Sequence, residues 1–150
     1  VCLSKGLGSP VGSVVVGSEA FVTRARRFRK MYGGGMRQAG VLAACGLVSL
    51  DQVLPLLKHD HRRAKLVASG LAAVQGIELD PSSITTNIVY FETPGFPATA
   101  FVQAMERRGV KLGTYGTHKC RLVLHYQIRD EDVDRILEAA AEAADELQGL

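Results

Sequence analysis

The stretch Leu3-Ser4-Lys5-Gly6-Leu7-Gly8-Ser9-Pro10-Val11-Gly12-Ser13 sets a single lysine between a short apolar run and a loop of glycine, serine and proline. A surface lysine ordinarily stands among other polar groups on a helix or a strand edge. This one falls where the backbone leaves an apolar strand and turns. Partial shielding by apolar neighbours there disfavours the ammonium form. An amine so placed suits attack on a carbonyl carbon. The surrounding glycines let the backbone pass close to a flat group with no Cβ in the way. Spacing alone also admits an ordinary solvated lysine.

Working outward, Val11 to Gly17 is a β-branched run bounded by glycines and predicts a short buried strand. Ser18 is placed to cap a helix whose apolar positions Phe21, Ala25, Phe28 and Tyr32 recur at helical spacing. Gly33-Gly34-Gly35 breaks it. A helix of small residues follows over Met36 to Val48. A longer one comes next, with Ser49 and Gln52 set like a capping box and Pro55 kinking or delaying its first turns. Its apolar stripe reads Leu50, Leu54, Leu57, His61, Ala64, Ala68 and Leu71.

Beyond Gly76 the pattern becomes α+β. Thr85 to Phe91 predicts a strand, and Pro97 to Arg108 a helix stopped by Gly109. Val110 to Leu112 reads as a short strand and Lys119 to Tyr126 as a better one. Asp130 caps a final helix with Val133, Ile136, Leu137, Ala140, Ala144 and Leu147 on one face. Alternation sets Arg121, Val123 and His125 together on one side of their strand. A buried arginine beside a histidine calls for an anion, either a structural carboxylate or a ligand.

Composition fits this picture of a folded chain. At 150 residues, 47% of them hydrophobic and with a net charge of +3, the chain has the means to bury a sizeable core. Its longest apolar stretch, Ala39 to Leu50, falls short of the roughly 18 residues a membrane helix needs. Cys2, Cys45 and Cys120 are odd in number and widely spaced, which suggests neither a disulfide framework nor a zinc site. The basic run Arg24 to Lys30 reads first as a solvated helix face. It lacks the aromatic platform that a nucleic-acid surface would carry. His61, lying on an apolar stripe, reads as a core or interface residue, and no metal site is expected.

Several blocks together carry a resemblance. Besides the Lys5 stretch they are Arg26-Arg27-Phe28-Arg29-Lys30-Met31, Gly33-Gly34-Gly35-Met36-Arg37-Gln38-Ala39-Gly40, Asp60-His61-Arg62-Arg63-Ala64-Lys65, Thr86-Asn87-Ile88-Val89 and Arg121-Leu122-Val123-Leu124-His125. In this order, across nearly the whole chain, they resemble the low-specificity L-threonine aldolases. These are pyridoxal-phosphate enzymes of the aspartate-aminotransferase fold type. The resemblance implies an α/β fold in which residues 1–50 end the cofactor-binding large domain. Residues 51–150 would then supply a linking helix and a small α+β C-terminal domain.

It implies, further, that Lys5 holds pyridoxal phosphate covalently. Arg37 would lie near the cofactor phosphate across a subunit interface, Lys30 at the active-site mouth, and Arg121 on the substrate α-carboxylate. Leu124 departs from the family, which usually carries threonine there. The implied reaction cleaves L-threonine or L-allo-threonine to glycine and acetaldehyde in a homodimer or homotetramer, with neither nucleic acid nor membrane as partner. The implied location is the cytoplasm, with mitochondria a second option. In the family, the pyridine-nitrogen aspartate, the ring-stacking residue, the phosphate loop and the β-hydroxyl base all precede the lysine. The chain is therefore expected to be the C-terminal part of such an enzyme, inactive by itself. The alternatives are a related lyase of another β-hydroxy amino acid and a truncated, non-catalytic copy.

Overall fold

A computed structural model describes residues 1–149. The chain divides into two compact units, Val1–Leu56 and Leu57–Leu150.

In the first unit, α1 spans Glu19–Met31. Ser18 is its N-cap in extended conformation, and its hydroxyl accepts from the Phe21 N–H at 3.3 Å. No residue of α1 is buried: Phe21 is 53% and Phe28 43% exposed. The strand expected over Val11 to Gly17 does not form. Only a single antiparallel bridge, Cys2 to Ser13, is made, and Val14, Val15 and Val16 lie exposed. Without a neighbouring strand to pair with, a β-branched run has no ladder to join.

Helix α2 covers Gly40–Val48 and continues through a π-helical turn, Ser49–Val53, and a 3₁₀ turn, Leu54–Leu56. The expected capping box at Ser49 is absent. Ser49 has helical dihedrals, and its side chain is buried against Ser9 instead. Pro55 sits inside the 3₁₀ turn, so regular α-helix resumes only at Leu57. The helical run Gly40–Leu71 is long and apolar enough, by length and composition, to cross a bilayer. The apolar stretch Ala39 to Leu50 ends in sequence at Asp51, whereas the helical run continues through that residue. Its second half carries Lys58, Asp60, Arg62, Arg63 and Lys65, and buries its apolar face in the core of the second unit.

That second unit is a three-stranded antiparallel sheet backed by helices. Its elements are α3 (Leu57–Leu71), β1 (Ile88–Glu92), α4 (Ala98–Arg107), β2 (Gly113–Thr114), β3 (Lys119–Val123) and α5 (Asp130–Gln148). The strand order is β1-β3-β2, with Val89 opposite Leu122 and Phe91 opposite Cys120. The second edge strand lies at Gly113–Thr114, just past the expected Val110 to Leu112. Strand alternation sends Val89, Phe91, Cys120 and Leu122 inward. They meet Ala64, Val67, Ala68 and Leu71 of α3, Phe101 and Met105 of α4, and the alanine-rich face of α5. Phe101 stacks on Phe96 and meets Phe91 edge-on. Arg107 of α4 and its C-cap Arg108 pair with Glu146, and Arg108 also with Glu142. Asp130 is the first helical residue of α5; its N-cap is Arg129, whose N–H donates to Asp132 at 2.8 Å.

Candidate functional site

Lys5 stands on a closed loop. The Leu3 N–H donates to the Gly12 carbonyl at 2.9 Å, and the Ser9 N–H to the Leu3 carbonyl at 2.9 Å. A tight turn from Lys5 to Gly8 is shut by the Gly8 N–H on the Lys5 carbonyl at 2.8 Å. The loop's floor is anchored on the helical run. Leu3 and Leu7 are buried, and the Ser9 and Ser49 hydroxyls lie 2.6 Å apart in a buried contact. The Ser9 hydroxyl also donates to the Cys45 carbonyl at 3.4 Å. Leu3 lies so close to Gly46 that a Cβ there would stand 3.2 Å from its Cδ1. Leu3, Leu7 and Ser9 thus point into the floor, and Lys5 is left exposed at the turn. The apolar shielding expected around its amine is not supplied by these residues, because Leu3 and Leu7 direct their side chains into the floor. Beside it, hydrogen bonds from the side chain and backbone of Ser4 hold the Cys2 thiol below the ordinary cysteine range.

Lys30 lies in the last turn of α1, which ends in a tight glycine-dependent stop. The Gly34 N–H reaches back to the Arg29 carbonyl at 2.8 Å and the Gly33 N–H to the Lys30 carbonyl at 3.2 Å. Gly33 has φ +82°, in the left-handed region. A Cβ on Gly34 would sit 3.0 Å from the Arg29 carbonyl oxygen, and one on Gly35 would sit 3.1 Å from Lys30 Nζ. The glycine triplet therefore wraps the Arg29 and Lys30 side chains. Arg37 follows in the segment joining α1 to α2, exposed, beside Gln38 at φ +48°. A left-handed glutamine costs about 1–2 kcal/mol. Such strain persists where the surroundings fix the backbone.

Arg121 is exposed, not buried as expected. It shares the outer face of the sheet with Tyr90 and Val123, because the odd-numbered residues of β3 turn away from the helices. Its lateral neighbours are Tyr90 on one side and the bare backbone of Gly113 on the other. Tyr115 meets Tyr90 edge-on, ring centroids 5.7 Å apart. Lys5, Lys30 and Arg37 belong to the first unit and Arg121 to the second. Within the first unit, among the described residues, no side-chain hydrogen bond or ion pair joins Lys5, Lys30 and Arg37, and none of the four cations is held by a carboxylate.

Asp60 is the residue that periodicity missed. The stripe was read through His61, but α3 is rotated so that Asp60 is buried and His61 only half-buried. The signal was present: Asp60, Ala64, Val67, Ala68 and Leu71 also run at spacings of three and four. A charged residue at the head of that stripe argued against it.

The family described as Beta-eliminating lyase matches residues 1–94. The low-specificity L-threonine aldolase 1 of Arabidopsis thaliana is 42% identical over 146 residues, covering 95% of this chain and 41% of the relative. The low specificity L-threonine aldolase of Escherichia coli is 37% identical over 136 residues, covering 91% and 39%. The chain thus spans about two fifths of the length of these curated relatives. Among solved structures, one named for L-allo-threonine aldolase from Listeria monocytogenes matches with TM-score 0.74 and 15% identity, over 95% of this chain and 43% of its own. That likeness gives the fold: α/β, of the transferase type on which threonine aldolases are built.

Proposed function

Because this chain belongs to the Beta-eliminating lyase family, we propose that it forms part of a pyridoxal-phosphate-dependent carbon–carbon lyase cleaving L-threonine and L-allo-threonine to glycine and acetaldehyde. One observation carries the reading. Lys5 is the exposed apex of a loop that Leu3, Leu7 and Ser9 fix to the floor beneath it.

The residues present fit such a cofactor. An aldehyde requires an amine not locked in an ion pair, and a phosphate requires cations with free donors. Among the described residues, Lys5, Lys30 and Arg37 have no carboxylate partner. Lys5 would hold the cofactor through Nζ, Arg37 its phosphate by paired N–H donors, with Lys30 adding positive charge. When bound, the cofactor supplies an electron sink for bond cleavage at Cα. Lys5 contributes a rigid attachment, since its turn is closed at both ends, and Nζ can take up or return a proton when free. Arg121 grips the substrate α-carboxylate. That grip fixes which bond at Cα is presented for cleavage, a matter of orientation rather than of extra binding. In the sheet Arg121 stands opposite Tyr90 on one side and the side-chain-free Gly113 on the other.

We read the protein as a cytoplasmic homodimer or homotetramer acting on a free amino acid, without nucleic acid or membrane. The exposed Val41, Leu47, Leu50 and Leu54 support association, since apolar surface of this kind is disfavoured in water. Three free cysteines support a reducing compartment. The test is borohydride reduction of the full-length holoprotein followed by peptide mapping. The pyridoxyl tag is expected on Lys5, and its recovery on another lysine overturns the assignment. Lys5→Ala should lose the visible cofactor absorbance and all glycine formation while its melting temperature without cofactor stays unchanged. Arg121→Lys should keep the absorbance but raise KM about 10- to 100-fold, the worth of a lost charge-assisted hydrogen bond.

A further inference from the structure

The sheet of residues 57–149 has an unfinished edge. β2 covers β3 only at Cys120 and Arg121. The Leu124 N–H donates to the Asn87 carbonyl at 2.9 Å, and the register with β1 pairs Leu122 with Val89. The amides of Cys120, Leu122 and Leu124 therefore point toward β1, and those of Arg121 and Val123 point the other way. Past Arg121 no described strand meets that second side. The N–H and C=O of Val123 turn to an open-mouthed cavity of about 340 Å³.

The floor of this cavity is apolar: Leu124 is fully buried, and Leu122 and Ile136 nearly so. Its rim carries Lys111, His125 and Arg135 against a single carboxylate, Asp132. That carboxylate is already engaged by the Arg129 N–H at 2.8 Å and by Arg135 at 3.6 Å. Lys111 has no ion-pair partner among the described residues. Arg121 does not line the cavity.

Elsewhere in this unit, α3 carries a buried carboxylate oxygen with no hydrogen bond. Asp60 is only 2% exposed, and its Oδ1 accepts no hydrogen bond. Arg63, its nearest ion-pair partner at 3.6 Å, gives its Nε to Asp130 at 2.7 Å instead. Burial pushes the Asp60 carboxyl above the usual carboxylate range, opposed by Arg63 and then by His125, His61 and His59. Of these four only His125 lies outside α3.

We propose that this cavity binds a small amphipathic carboxylate. Its head is held by Lys111, Arg135 and the Val123 N–H, and its hydrocarbon body rests on Leu122, Leu124 and Ile136. Two cations and one neutral donor suit a monoanion. The apolar floor rewards a chain of a few methylenes at about 0.8 kcal/mol each, which an inorganic anion cannot supply.

The test is titration of the full chain with hexanoate, inorganic phosphate and hexylammonium at matched ionic strength, followed by NMR. Hexanoate should give saturable shifts at the Val123 amide and the His125 ring. The double variant Lys111→Met, Arg135→Met should weaken binding at least about tenfold, the equivalent of one charge-assisted hydrogen bond. Arg121→Ala should leave hexanoate binding unchanged. No saturable shift, equal binding of phosphate or hexylammonium, or an unaffected double variant would overturn the proposal.

Discussion

Helices α1 and α5 have equally regular apolar spacing, yet α5 buries six residues of one face and α1 buries none. The contrast extends to the two units that contain them. Every member of the large apolar core lies beyond residue 57, while the first unit buries little beyond the anchors of the lysine loop. Periodicity tells a chain to coil with one apolar face. It does not say what will cover that face. The second unit meets the demand from within, by bringing α3, α4 and α5 onto one side of its sheet. The first leaves Phe21, Phe28, Met31 and Tyr32 in solvent, and its order rests on capping, glycine turns and the hydrogen bonds under Lys5.

Substitutions can break this comparison. Phe101→Ala should cost about 3–5 kcal/mol because it opens a cavity among fully buried rings, whereas Phe28→Ala should stay within about 0.5 kcal/mol. Urea denaturation followed by circular dichroism measures both, and equal losses would erase the distinction between the units. Gly76→Ala comes next. Gly76 has φ +83°, and a Cβ there would stand 2.3 Å from Gln148 Nε2 and 3.0 Å from Phe96 Cε1. A loss of about 1–3 kcal/mol is expected from the strained backbone, read as a fall in melting temperature. Ser49→Ala should cost about 1 kcal/mol through the lost contact with Ser9. Amide exchange should quicken at Leu3 and Ser9 and stay unchanged in α4.

The smallest effects are pH-dependent and opposite in sign. The Asp60 carboxyl is raised above its unfolded value, chiefly by burial. Its contribution to stability is therefore present below the unfolded pKa and lost as pH rises through the folded one. Asp60→Asn should gain on the parent from acid to neutral pH. Asp130 is lowered, first by its hydrogen bonds from Arg62 and then Arg63. Its contribution is present above the unfolded pKa and lost as pH falls through the folded one, so Asp130→Asn should be weakest near neutrality and converge with the parent in acid. Melting curves across that range decide both signs.

Much of the second unit was legible. The helix at Ala98–Arg107, the strand at Lys119–Val123 and the face of α5 follow from spacing and punctuation, because local and tertiary demands agree there. Legibility failed where tertiary contact overrode a local signal. Ser49 reads as a cap but is drawn into the helical run by Ser9, forty positions away. Val14 to Val16 read as a strand but have no partner strand. Arg121 reads as buried because alternation assigns faces without saying which face the helices take.

By itself the sequence determined the α/β character of the chain, the succession of its elements and the one lysine set in a glycine loop, because these depend on neighbours a few residues apart. Only the tertiary structure decided that Lys5 stands out from a hydrogen-bonded floor, that Arg121 faces outward, and that Asp60 is buried without a hydrogen bond at Oδ1. Those outcomes depend on which distant surfaces meet, and burial is a property of the meeting, not of the residue.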